Sequence, residues 1–155
     1  MTRRRGCLEL RSVIWLLRHA DAEDGSPDAE RRLTEKGERQ ARWAGAALAA
    51  LGVEIDACLT SPKVRSAETA RLCCEPLGVE PRQEPKLAGG PFDPEQLAAG
   101  LGDVLLVGHD PDFSMALHDM TGAQVRLKKG GIAAVDTGEL LALLRPEDLA
   151  ALSRT

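Results

Sequence analysis

The chain has 155 residues, a length that suits one domain, and its 43 % apolar content is enough for one continuous core. Aromatics make up only 3 %, so Leu, Val and Ala must fill that core. A net charge of −4 and a pI near 5.4 argue against a general nucleic-acid binder, although a local basic pocket stays open.

The N-terminal "MTRRRGCLELR" has a basic start but no signal-peptide core. Glu9 and Arg11 interrupt the apolar part, and Val13–Leu17 is too short for an h-region. Residues 1–11 are therefore expected to be an extension ahead of a domain over 12–155. No run approaches the ~20 apolar residues of a spanning helix, so no membrane is expected.

"SVIWLL" (12–17) reads as a buried strand and delivers Arg18 and His19 side by side. A polar loop, "DGSPDAERR" (24–32), follows. "TEKGERQARWAGAALAAL" (34–51) reads as a helix with Thr34 as N-cap, with Ala41, Ala44, Leu48 and Leu51 on one face and Gly52 as the stop. "ACLTS" (57–61) is a second short strand. "SPKVRSAETARLCCEPLG" predicts a helix capped by Ser61, with Pro62 in its first position and Gly78 beyond its end. A brief strand and a turn-rich loop fill 79–92, and Asp93-Pro94 opens another helix. "DVLLVGHD" (103–110) is the clearest strand. A helix over 112–120 ends near Gly122. "GIAAVDTGELLALL" predicts two strands joined at Asp136-Thr137-Gly138, and a last helix begins at Pro146.

This alternation predicts a single-domain three-layer α/β/α sandwich with a mostly parallel central sheet and an antiparallel C-terminal edge strand. Ligands of such sheets sit outside the carboxyl ends of the strands. Three strand ends deliver related groups there: Arg18-His19, then Arg65 about a turn into the next helix, then Gly108-His109-Asp110. Two arginines and two imidazoles at one sheet edge, beside helix N-termini, make an anion pocket suited to a phosphoryl group.

Of the three histidines, His118 has no motif around it and reads as structural. His109 and His118 are nine apart, with no H-x-H or H-x-x-x-H spacing, and arginines beside the imidazoles would repel a dication; no metal is expected. No G-x-S-x-G and no P-loop pattern occurs. The four cysteines, Cys7, Cys58, Cys73 and Cys74, form no C-x-x-C pair and read as reduced, mostly buried thiols of a cytoplasmic protein. Lys128 and Lys129 read as a solvated surface pair.

Together "LLRHADAE", "RRLTEKGERQA", "CLTSPKVRSAETA" and "VLLVGHDPDFSMAL" resemble the histidine phosphatase superfamily, the phosphoglycerate-mutase-like fold, and most of all its short bacterial SixA-type phosphohistidine phosphatases. The resemblance spans roughly residues 12–145, with the motifs in the family's order. It implies that His19 is the nucleophile, that Arg18 and Arg65 clamp phosphate, and that His109 contacts the transferring group. Arg31 resembles a further phosphate-contacting arginine, with Arg32 one position away. It implies no cofactor, a phosphorylated substrate such as a phosphohistidine-bearing protein domain, and a monomer or weak dimer.

Two departures stand out. The family's Arg-His-Gly triplet has Ala20 here, still a small residue. Larger members carry a carboxylate acid in a segment before the last catalytic strand, but 79–103 is short and has Lys86 where an acid would be sought. Glu84 and the acids after His19 are the fallbacks. A site without a dedicated acid favours a leaving group that carries its own proton, as a phosphorylated imidazole does. The alternatives are a small-molecule phosphatase on the same fold and a non-catalytic phosphate-binding module; a pure receptor would need only the arginines.

Overall fold

The computed structural model describes residues 12–155; the expected extension over 1–11, with Cys7, lies outside the described residues. A six-stranded sheet runs through the centre in the order β3-β2-β4-β1-β5-β6. Its strands are β1 (Ile14–Arg18), β2 (Ala57–Thr60), β3 (Pro81–Gln83), β4 (Val104–Gly108), β5 (Ile132–Asp136) and β6 (Glu139–Leu144). The pairs β1–β4, β2–β4 and β2–β3 are parallel, whereas β1–β5 and β5–β6 are antiparallel. The C-terminal edge is thus antiparallel in its pairing, with β5 running against the rest and β6 turning back to the direction of β1.

Helices cover both faces because the central strands are apolar on both. Leu17, Cys58, Leu105, Val107 and Ile132 pack under α1 (Glu35–Ala50), α2 (Val64–Cys74) and α5 (Pro146–Ser153). Ile14, Leu16, Val104, Leu106 and Val135 pack under α3 (Pro94–Ala98) and α4 (Asp112–Thr121). Every residue of β4 is buried, as a central parallel strand requires.

The helix ends follow local chemistry. The Thr34 hydroxyl accepts Gly37 N–H, and the Asp93 carboxylate accepts Glu95 and Gln96 N–H. Two expectations shift. Leu51 falls at the C-cap of α1 and is 50 % exposed, since the helix face has already turned away from the core. Helix α2 starts at Val64, not Pro62, because Ser61 Oγ accepts Lys63 N–H in a tight turn of its own and is drawn toward the site.

Candidate active site

The parallel register sets the geometry. Arg18 pairs with Gly108 and Thr60 with Val107, so β1, β4 and β2 end together. The next residues of the first two strands are His19 and His109, and His19 N–H donates to Gly108 O at 2.9 Å. Their imidazoles lie 5.3 Å apart, centroid to centroid, tilted by 55°. Gly108 is where α4 turns over the strand: a Cβ there would sit 2.6 Å from the Phe113 ring.

His19 is 7 % exposed. Its Nδ1 lies 2.8 Å from the Ala20 carbonyl oxygen, which can only accept, so the ring proton is on Nδ1. Nε2 keeps its lone pair. Burial, then the charges of Arg65, Arg18 and Lys129, hold the ring's pKa down at about 4 against the opposing Ala20 hydrogen bond. His109 is lowered further, to about 3, by burial and then by His19, Arg65 and Lys63, with Asp28 opposing. Its Nε2 meets Ser61 Oγ at 2.8 Å and Ser66 Oγ at 3.4 Å.

Arg65 is in the first turn of α2 and 6 % exposed. Its Nη1 donates to the Asp28 carbonyl at 2.9 Å and its Nη2 to the Asp28 carboxylate at 3.2 Å. Arg31 reaches the same carboxylate at 3.1 Å and Lys63 reaches it at 3.4 Å. The Arg31 hydrogen bond, then those of Arg65 and Lys63, bring Asp28 down to about 2. Of the two neighbouring arginines it is therefore Arg31 that joins the cluster; Arg32 is exposed. Arg18 Nη1 donates to Leu127 O at 2.9 Å. Among the described residues, four buried side-chain polar atoms have no hydrogen-bond partner, and three belong here: Arg18 Nε, Arg65 Nε and His109 Nδ1; the fourth is Glu68 Oε1. Unmet donors on fixed cations suit an oxyanion with several acceptor oxygens.

Of the fallback acids, Asp21 and Glu84 are hydrogen-bonded to groups of their own. Asp21 accepts from the Thr34 hydroxyl at 2.8 Å and lies 3.8 Å from Lys129; Lys128 and Lys129 are both exposed, and the Lys129 charge has the smallest effect of those that bear on His19. Glu84 caps its own turn through Lys86 N–H. His118 Nδ1 pairs with Ala123 O, a structural contact. Cys58, Cys73 and Cys74 are buried free thiols. Among the described residues, no group of three His, Cys, Asp or Glu side chains is placed to hold a metal ion. Likewise no helix is long and apolar enough to cross a membrane. Asp28, Ser66 and Thr69 are not among the groups the sequence points to, and Ser61 lies against His109 instead of capping α2, whose N-cap is Lys63. The i,i+3 spacing of Asp28 and Arg31 was the one available signal.

Fold and site define a two-histidine α/β protein with a cluster of cationic side chains at the carboxyl edge of its parallel strands. The model of the histidine phosphatase superfamily (branch 1) matches residues 14–91, and the chain belongs to that family. It is accordingly a phosphatase, a hydrolase. An uncharacterized protein of Picosynechococcus sp. is 32 % identical over 140 residues, covering 81 % of this chain and 85 % of that protein. Among solved structures, the protein histidine phosphatase SixA complexed with tungstate superposes with a TM-score of 0.77 at 24 % identity, over 88 % of this chain and 99 % of that one. The alpha-ribazole phosphatase of Shigella flexneri gives 0.66 at 19 % identity, over 86 % and 96 %. These two likenesses establish the fold.

Proposed function

We propose that the protein hydrolyses a phosphorylated substrate through a covalent phosphohistidine on His19, without a metal ion or cofactor, and that its substrate is a phosphohistidine-bearing protein, as for SixA-type enzymes. The carrying observation is the His19 ring: protonated at Nδ1, bare at Nε2, neutral at ordinary pH and set beside two arginines.

The steps follow from those residues. Nε2 attacks phosphorus, forming the N–P bond while the bond to the leaving group breaks. Arg18, Arg65 and Arg31 hold the charge on the equatorial oxygens, where a single such contact is worth on the order of 10²–10³ in rate. His109 contacts the group in flight. Water then attacks phosphorus, the N–P bond breaks, and inorganic phosphate leaves with the His19 lone pair restored.

The substrate class follows from the leaving group. An alkoxide needs a proton as it departs. Asp28, the carboxylate held among the arginines, stays ionised far below neutral pH and has none to give. A phosphorylated imidazole protonated on its other nitrogen departs as a neutral ring and needs no donor. The short stretch between β3 and α3 adds no lid, which suits a protein-borne group.

The test is a side-by-side assay on a phosphohistidine protein, a phosphoserine peptide and sugar phosphates. The phosphohistidine protein should be turned over best, without effect of EDTA and with inhibition by vanadate. His19→Ala should abolish turnover and keep tungstate binding. Marked preference for sugar phosphates points instead to a small-molecule phosphatase, and undiminished turnover by the variant removes His19 as nucleophile.

A further inference from the structure

We infer that Thr69 and Gln40 are positioning residues that clamp Ala20 between two helices and so set the tautomer and aim of His19. The inference rests on the reading of His19 as the nucleophile.

Thr69 is fully buried on α2, one turn beyond Arg65. Its hydroxyl donates to Arg65 O at 2.7 Å and accepts Ala20 N–H at 3.0 Å. Both of its hydrogen-bonding roles are thus fixed, and one hydroxyl ties the residue after the nucleophile to the helix that carries the clamp arginine. Gln40, 5 % exposed on α1, accepts Asp21 N–H through Oε1 at 2.9 Å. That N–H shares a peptide unit with the Ala20 carbonyl, the acceptor of His19 Nδ1–H. Drawing electron density from the N–H side polarises the carbonyl and strengthens its hold on the ring proton.

Ala20 is anchored a third way. Where the family triplet has glycine, the methyl group here is fully buried among Leu33, Ala41 and Leu72. A glycine at this position would keep both backbone hydrogen bonds and lose the apolar anchor. The orienting carbonyl is thus fixed by a hydroxyl from α2, an amide from α1 and the Ala20 methyl itself, packed on Ala41 of α1, Leu72 of α2 and Leu33. Free rotation of the imidazole would instead present Nδ1 or a protonated Nε2 to phosphorus. A reacting atom displaced by about 1 Å can cost on the order of 10²-fold in rate.

Thr69→Val keeps the shape and removes the hydroxyl; Gln40→Met keeps the length and removes the acceptor. Each should lower kcat by roughly 10- to 100-fold with little change in KM. The ¹⁵N spectrum of the His19 ring should move from a pure Nδ1–H tautomer toward a mixture. Thr69→Ser should restore both readouts, even if its stability is lower. A folded Thr69→Val or Gln40→Met with unchanged kcat and an unchanged tautomer overturns the clamp. So does Thr69→Ser as impaired as Thr69→Val, because a role in packing alone would give that result. If Thr69→Val does not fold, Gln40→Met and Thr69→Ser decide. The ring spectrum separates the two readings: active His19→Ala with an altered tautomer in Gln40→Met removes the nucleophile and keeps the clamp.

Discussion

His19 and His109 face each other at 5.3 Å because the backbones beneath them are hydrogen-bonded neighbours, with His19 N–H on Gly108 O. Neither ring depends on a flexible loop for its place. Each is the first residue beyond a strand that is buried on both faces. This pairing explains why both pKa values fall together: each ring is buried, and each lies close to Arg65.

The first prediction concerns pH. Unfolded, both imidazoles take up protons near pH 6.5; folded, they do so only near pH 4 and 3. Below 6.5 the unfolded chain binds more protons, so the contribution is full above that pH and is lost as pH falls toward 4. The loss should reach a few kcal/mol over that interval. Urea unfolding at pH 7.5 and 4.5 should show it, and His109→Asn should flatten the dependence. Histidine NMR should find neither ring titrating between pH 8 and 5.

Asp28 gives the second. Its carboxylate pairs with Arg31, Lys63 and Arg65, and under the proposed function an incoming anion would compete with it for them. Asp28→Asn keeps a hydrogen-bond acceptor and removes the charge. Vanadate should inhibit this variant about threefold more tightly, in line with exposed ion pairs. Weaker inhibition would mean that holding the arginines in place matters more than the competition.

Gly37 supplies the third. A Cβ at this position of α1 would lie 1.9 Å from the Asp21 carbonyl oxygen, backbone that has no room to give. Gly37→Ala should push α1 off the 20–22 loop, costing about 1–3 kcal/mol in chemical denaturation. Because Gln40 moves with the helix, kcat should fall as well. Full activity at normal stability would contradict the close approach.

The fourth is remote from the site. Thr137 has φ 47° in the two-residue turn of the β5–β6 hairpin, with Gly138 at φ 77°. A β-branched residue is poorly suited to that conformation, and Asn-Gly is preferred there. Thr137→Asn should stabilise the protein by about 0.5–1 kcal/mol and leave kcat alone. A lowered melting temperature would show that the Thr137 hydroxyl bond to Asp136 outweighs the strain.

Much of this was legible in the chain itself. Apolar runs bounded by turn residues located β1, β2, β4 and the final hairpin, because burial on both faces demands continuous apolar sequence. Caps such as Thr34 and Asp93 were readable because they act over three residues. Arg18, His19, Arg65 and His109 stood out as candidates because Arg18 closes β1, His19 and His109 come directly after β1 and β4, and Arg65 lies in the helix that follows β2, so that all four are carried to one edge of the parallel strands. What the sequence could not carry was long-range pairing. Asp28 looked like one acid among several until the fold laid its loop over Arg65. Ser61 looked like a cap until β4 brought His109 within 2.8 Å of its hydroxyl. Thr69 and Gln40 had no local signature, since they act on a residue far away in the chain. Local spacing determines which elements form and which groups they carry; only packing the helices onto the sheet decides which hydrogen bonds orient those groups, because the partners come from segments the sequence keeps apart.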